Sequence, residues 1–224
     1  MIKNGFKLIT VDGESACGKS TAGDILAAKF NYLHIDAGII FRSLAYYLRS
    51  ELKRSSELTF GEVECILKTK FVFRASKAFY NNRDITAILT TEEIGLLAYE
   101  LGQQKIIQNH FIDFQRDLIQ KLSLNKKGII VSGRIGGSVV FPDADKKFFL
   151  TASSKAKTDR RLKQLQNKGF GGIRAASIAK TLKERDNIIK ILPTKNLEVC
   201  ARTNIIDTSQ FTIERLPDIL SSYF

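Results

Sequence analysis

Residues 13–21 read Gly13-Glu14-Ser15-Ala16-Cys17-Gly18-Lys19-Ser20-Thr21 and fit G-x-x-x-x-G-K-[ST] at every fixed position. Two glycines at this spacing let the backbone fold into a concave turn whose N–H groups point at phosphate oxygens. A helix starting at the lysine adds its positive N-terminal end. Lys19 can then bridge the β and γ phosphates of a nucleoside triphosphate, and the Ser20 hydroxyl can ligate Mg²⁺. At average residue usage a chance match in a chain of this length is roughly a 1% event. The chemistry expected is phosphoryl transfer with Lys19 at its centre.

Other residues are informative only beside that loop. Asp36 ends an expected strand, where it either faces the loop's ligand or caps the next helix. Arg42 lies in the first turns of that helix. Arg134 follows another strand, at the carboxyl edge where ligands bind in open α/β sheets. Taken singly, Arg42, Arg160, Arg161 and Arg185 read as surface arginines. Cys17 is expected to line the loop, because phosphoryl transfer needs positioning and charge neutralisation more than a covalent nucleophile. His34 and His110 lack metal-ligand spacing, and neither is assigned a metal or catalytic role.

The elements that must position these groups follow from periodicity. Residues 6–11 are short, apolar and β-branched, as a buried strand requires, and they feed a helix over 19–30. A second strand over 32–35 leads to a helix over 38–50 with Ile40, Leu44, Tyr47 and Leu48 on one face. Residues 51–69 carry no clear period. Residues 70–85 read as a hairpin with Asn81-Asn82 as its turn, and 91–122 as two helical stretches. Strands over 128–131 and 147–150 bracket a loop at 133–145. Helices over 154–167 and 174–190 flank a glycine break, and Pro193 closes the second. A last strand at 203–206 precedes a helix at 212–220. Alternation of this kind indicates an α/β fold with a parallel sheet.

With 44% hydrophobic and 26% charged residues in 224, the chain is expected to fold as an ordinary globular protein. No apolar run approaches the roughly 20 residues of a membrane span, and the N-terminus does not read as a secretory signal. Cys17, Cys65 and Cys200 follow no metal or disulfide pattern, which fits a cytoplasmic location. The net charge of +12 is unusual, and residues 155–195 hold twelve Lys or Arg against three carboxylates. That stretch is either a solvated basic helix pair or a phosphate-binding element.

The sequence resembles bacterial cytidylate kinases over most of its length. Five stretches carry the likeness: 10–21 (TVDGESACGKST), 36–42 (DAGIIFR), 81–94 (NNRDITAILTTEEI), 133–145 (GRIGGSVVFPDAD) and 205–209 (IIDTS). The resemblance implies a three-layer P-loop NTPase core with a parallel sheet, residues 1–52 and 101–224. It implies a nucleoside-monophosphate-binding insert with a small β element at 53–100, and a helical lid within about 155–195. The implied reaction is transfer of the ATP γ-phosphate to CMP or dCMP, with Mg²⁺. Gly13 to Thr21 would hold ATP, with Ser20 on the metal. Arg42, Arg134 and Arg185 align with arginines that hold the acceptor phosphate, and Arg160 and Arg161 with lid arginines on the donor side. Lys19, Arg160, Arg161 and Arg185 would be catalytic, and Asp36 and Asp186 would join the substrate side. Tyr99 and Gln108 align with a serine and an arginine that help hold the cytosine. The expected partners are small nucleotides, without nucleic acid or membrane, and the chain is expected to be a monomer.

Departures gather on the acceptor side. Asp-Ser-Gly becomes Asp36-Ala37-Gly38, Ile-Arg-Thr becomes Leu89-Thr90-Thr91, and Asp-Gly-Arg-Asp-Ile-Gly becomes Ser132-Gly133-Arg134-Ile135-Gly136-Gly137. Arg-Asp-x-x-Asp-x-x-Arg retains Arg185-Asp186 but has Ile189 in place of its second Asp. With a carboxylate absent at 132, Asp12 or Asp36 is the candidate support for Mg²⁺. Two alternatives stay open: a modified or different phosphorylated acceptor, and a nucleotide-binding protein with weakened catalysis.

Overall fold

The computed structural model describes residues 5–52, 60–74, 76–167, 169, 172, 174–191, 202–212 and 215–224. Strand β1 (Lys7–Gly13) is buried from Leu8 onward, as the centre of a doubly covered parallel sheet must be. Its side chains alternate between the two faces. Ile9 and Val11 pack with Leu26, Phe148, Leu150 and Leu216 on one side. Leu8 packs with Ile40, Leu44, Phe111 and Ile129 on the other. Two apolar clusters separated by a sheet make three layers.

The sheet is completed by β2 (Leu33–Asp36), β6 (Gly128–Ser132), β7 (Lys146–Thr151) and β8 (Thr203–Asp207), in the order β2-β6-β1-β7-β8. All four pairings are parallel. The carboxyl ends of β1, β2 and β6 therefore open on one edge. There β1 runs into the phosphate loop and then α1 (Lys19–Phe30), while β2 runs into α2 (Ala37–Tyr47). Gly13 is needed at the exit of β1: its φ is 145°, and a Cβ there would sit 2.0 Å from the Leu150 carbonyl oxygen.

A second sheet is antiparallel, with β3 (Phe71–Arg74), β4 (Lys77–Tyr80) and β5 (Arg83–Asp84). The sequence suggested one hairpin closed by Asn81-Asn82. Instead β3 and β4 pair directly, and Asn81 and Asn82, with φ of 48° and 60°, turn the chain into the extra strand β5. Two successive left-handed residues match the twist of a two-residue hairpin turn, and asparagine tolerates that region.

The helix expected over 38–50 gives way after Tyr47 to a π-helical turn at Leu48–Leu52, and the stretch without a clear period holds α3 (Phe60–Thr69). Then come α4 (Thr86–Leu89), α5 (Glu92–Leu101) and α6 (Lys105–Ser123). Apolar residues of α3 to α6 join those of α2 in one continuous cluster. The expected loop after β6 contains a π-helical turn at Gly136–Val140. The Asp12 carboxylate explains it, accepting the Gly136 and Gly137 N–H groups at 2.8 and 2.6 Å. A cap supplied from another strand leaves no local sequence signal.

The basic stretch forms α7 (Ser154–Asn167) and α8 (Ala175–Ile191), joined through Leu165, Ile178 and Leu182, with Ala16 of the phosphate loop packed against them. Pro193 and residues 192–195 of the expected lid lie outside the described residues, as does Cys200. The last helix, α9 (Leu216–Ser221), places Leu216 and Leu220 in the cluster that includes Leu26 of α1. Among the described residues no helix is long and apolar enough to cross a membrane.

Candidate active site

The loop between β1 and α1 has the concave backbone its sequence requires. Ala16 and Gly18 take positive φ, 56° and 95°, so successive N–H groups turn inward. Lys19 crosses the loop and donates to the Glu14 carbonyl at 2.5 Å. Burial lowers its pKa, and nearby Arg134 adds to the effect. An ammonium held this way gains from a polyanion placed beside it. The Cys17 thiol is buried and donates to the same carbonyl at 2.8 Å. Burial raises its pKa, so it packs the loop as a neutral group.

Asp36 caps the next helix and also reaches the phosphate loop. Oδ1 accepts the Gly38 and Ile39 N–H groups at 2.8 and 3.2 Å and so caps α2. Oδ2 accepts the Ser20 hydroxyl at 2.5 Å. This pairs a carboxylate with the hydroxyl of the phosphate loop, an all-oxygen pair of the kind Mg²⁺ takes alongside phosphates and water. Among the described residues no group of three His, Cys, Asp or Glu side chains forms a self-sufficient metal site. The other candidate carboxylate, Asp12, is 4% exposed and already committed to Gly136 and Gly137. Burial pushes its pKa up to about 6.

Behind the loop lies an ion network that the sequence did not disclose. Lys157 of α7 places Nζ 3.0 Å from both Glu14 Oε2 and Asp186 Oδ2. Asp186 Oδ1 also accepts the Ser15 N–H at 2.8 Å and the Arg134 guanidinium at 3.1 Å. Arg134 in turn donates to Ser15 Oγ at 2.7 Å. Burial alone would raise the Asp186 pKa; the Ser15 N–H, Arg134 and Lys157 outweigh it and hold the carboxyl low. Asp186 therefore fastens α8 to the loop, and Lys157 looked like any other lysine in a basic run.

In front of the loop a cavity of about 680 Å³ is lined by Lys19, Ser20 and four arginines, Arg42, Arg134, Arg161 and Arg185. Burial drives the Arg185 pKa down to about 9, with Arg42, Arg134 and Arg161 contributing. Arg42 is likewise lowered by burial, against the pull of Asp36. Such a gathering of guanidinium groups is a site for a polyanion. Arg161 also pairs with Glu92 at the start of α5, so α7 reaches across to the helices after the small sheet. Arg160 is absent from this lining: it donates to Thr208 Oγ1 at 2.8 Å and to the carbonyls of Thr208 and Phe211. Tyr99 and Gln108 do line the cavity, with Phe41, Ala98 and Phe111. The Gln108 amide nitrogen donates to the Gly102 carbonyl.

A family model described as cytidylate kinase matches residues 9–224. The chain belongs to the cytidylate kinase family. Within that family it is 33% identical over 217 residues to a cytidylate kinase of Thermotoga neapolitana, covering 95% of this chain and 93% of that one. It is 34% identical over 215 residues to the Neisseria gonorrhoeae cytidylate kinase, covering 94% of each. An uncharacterized protein from Eubacterium ventriosum superposes with a TM-score of 0.51 at 12% identity, over 97% of both chains, a likeness of fold. As a member of the cytidylate kinase family, the protein is a phosphotransferase of the nucleoside monophosphate kinase type.

Proposed function

We propose that the protein transfers the γ-phosphate of ATP to CMP or dCMP, giving ADP and the diphosphate. The observation that carries this is the convergence of Arg42, Arg134, Arg161 and Arg185 with Lys19 on one cavity. Two phosphorylated reactants bring several negative charges together, and phosphoryl transfer depends on positioning and neutralising that charge.

In this reading residues 13–21 hold the ATP phosphates, and Ser20, supported by Asp36, holds Mg²⁺. Bound there, the metal would neutralise phosphate charge. Arg42, Arg134 and Arg185 hold the acceptor phosphate, and Arg161 closes from the lid within 155–195. Residues 53–100 form the acceptor-binding insert, and Tyr99 and Gln108 flank the base. Asp186 and Lys157 act from behind, keeping loop and lid in register. Arg160 supports the chain after β8, and its reach to the phosphates would need a change from the contacts it makes here.

The test is ADP formation from ATP and Mg²⁺ with CMP, dCMP, UMP, AMP and GMP, beside a Lys19→Ala control. Turnover is expected with CMP or dCMP and abolished in the control. Absence of turnover with every pyrimidine nucleotide would sink the reading. A second acceptor, a monophosphate with a modified base, is favoured by one observation: the base-side wall is largely apolar, and Gln108 already spends an N–H on Gly102. Thermal shifts separate the two, because a ligand bound to the folded state raises apparent stability. CMP stabilising as strongly as any modified nucleotide rejects the second.

A further inference from the structure

Helix α5 walls one side of the cavity with a single helical row. Gly95, Ala98, Tyr99 and Gly102 line it, at the i, i+3, i+4 and i+7 spacing of one face. One turn earlier the same row begins at Glu92, the first residue of the helix. The positive end of the helix favours a carboxylate there. Glu92 stands outside the cavity lining and accepts a hydrogen bond from Arg161 Nη2 of α7. Arg161 does line the cavity, and its Nη1 donates to Gln164 Oε1 at 3.5 Å. Among the described ion pairs of α7 and α8, this one alone crosses to residues 53–100.

An exposed ion pair holds little, because water screens it and two long side chains lose freedom. This pair is placed otherwise. The Arg161 side chain is 16% exposed and shares the cavity wall with Arg42, Arg134 and Arg185. Guanidinium groups gathered this way repel one another, and a long arginine without a counter-charge would turn outward. Glu92 opposes that. Burial lowers the pKa of Arg42 and of Arg185, and Glu92 is among the carboxylates that work against the shift in each. The planar fork of a guanidinium also lets one carboxylate fix its orientation. The neighbouring Glu93 has no such setting: it pairs with Arg49, and the two side chains are 66% and 63% exposed.

We propose that Glu92 is a positioning residue for phosphoryl transfer, holding the Arg161 guanidinium toward the cavity from the head of α5. The proposal rests on the reading of the cavity as the place where ATP meets a nucleoside monophosphate. A cation stabilises a transition state best when it already stands in place, because no reorganisation is then needed as charge develops. Glu92 supplies that placement from a helix that α7 does not belong to. An acceptor seated against Ala98 and Tyr99 braces the same helix that holds Arg161.

The test uses the full chain with ATP, Mg²⁺ and whichever of CMP and dCMP turns over. Glu92→Gln keeps the side-chain length at a site 44% exposed, so the fold is retained. It should lower kcat and kcat/KM for the acceptor together by about 10-fold, the pattern of an interaction used in the transition state. Glu93→Gln removes the same charge from the same helical turn and should leave both constants within about 2-fold. In an Arg161→Ala background Glu92→Gln should cost nothing further, because it acts through that arginine. An equal loss in both backgrounds, or an equal loss in Glu93→Gln, overturns the proposal. So does a Glu92→Gln enzyme as fast as the wild type or faster, and so does a raised acceptor KM with kcat unchanged. Without nucleotide, the urea midpoints of Glu92→Gln, Arg161→Ala and the double variant should be non-additive. Additivity there means the two side chains do not interact and also overturns the proposal. A wild type with no turnover on any pyrimidine monophosphate instead overturns the nucleotide reading, and this role with it.

Discussion

Ser20 and Asp36 meet side chain to side chain, Oγ to Oδ2 at 2.5 Å, joining the first turn of α1 to the end of β2. Because the other oxygen of Asp36 caps α2, one carboxylate ties a structural task to a chemical one. Substitutions separate the two.

Asp36→Asn keeps a good cap, since asparagine and aspartate rank alike at that position, and stability should change by less than about 0.5 kcal/mol. Turnover should fall at least about 10-fold, as the negative oxygen beside Ser20 becomes a neutral amide group. Asp36→Ala should lose the same activity and about 1 kcal/mol besides. Urea unfolding measured beside steady-state rates distinguishes these outcomes. An Asn variant with wild-type turnover would leave Asp36 as a cap alone.

Lys157 neutralises Glu14 and Asp186 at once, and its side chain is only 12% exposed. Removing one partner of a buried ion pair costs roughly 3–5 kcal/mol, and the partial exposure of Glu14 should reduce that to about 2–3 kcal/mol for Lys157→Met. The same change leaves two carboxylates less neutralised behind the phosphate loop, so with ATP as the proposed donor its KM should rise more than kcat falls. Lys157→Arg should restore most of both, and adding Glu14→Gln to Lys157→Met should recover part of the stability. Denaturant melts and ATP titrations check each arm.

Arg185 carries a cost in the ligand-free protein. Its folded pKa of about 9 lies below the ordinary 12.5, because burial and three neighbouring arginines disfavour its charge. For a base this means the charged form destabilises the fold throughout the pH range below about 9. Arg185→Met should therefore raise ligand-free stability by roughly 1–3 kcal/mol while lowering kcat by about 10³, the scale of one transition-state arginine. Chemical denaturation without nucleotide and single-turnover rates measure the two effects. A destabilised variant would contradict the electrostatic account.

Asp12 makes the pH dependence of folding testable. Its folded pKa of about 6 lies above the ordinary 3.8, with burial as the main cause. The protonated form therefore binds its proton more tightly when folded. That contribution is complete below pH 4 and is lost as pH rises through 6, a change of about 3 kcal/mol. In Asp12→Asn this component should vanish. The stability difference between wild type and variant, followed from pH 4 to 7, should slope through that window and level off above it.

Much of this protein is written locally. The phosphate loop, the parallel sheet and the helices α1, α2, α7 and α8 were legible because their signals lie within a few residues of one another: glycine spacing, β-branched runs, helical periodicity. Arg42, Arg161 and Arg185 could be proposed as site residues through family resemblance, though each alone looked like a surface charge; Arg134 was also marked by its place at the carboxyl end of a strand. What the sequence could not disclose depends on partners far apart in the chain. The cap on Gly136 comes from Asp12 on another strand. Lys157 matters because Glu14 and Asp186 meet it from 143 and 29 residues away. Arg160, the immediate neighbour of Arg161, turns to Thr208 while Arg161 enters the cavity, since adjacent helical residues face different directions. His34 showed no metal-ligand spacing, yet parallel pairing of β2 and β6 sets it between Asp24 and Ser132. Sequence alone determined the phosphate loop, because one continuous turn of backbone forms it. Tertiary structure decided which charges face the cavity, because only packing fixes where a long or buried polar side chain finds its partner.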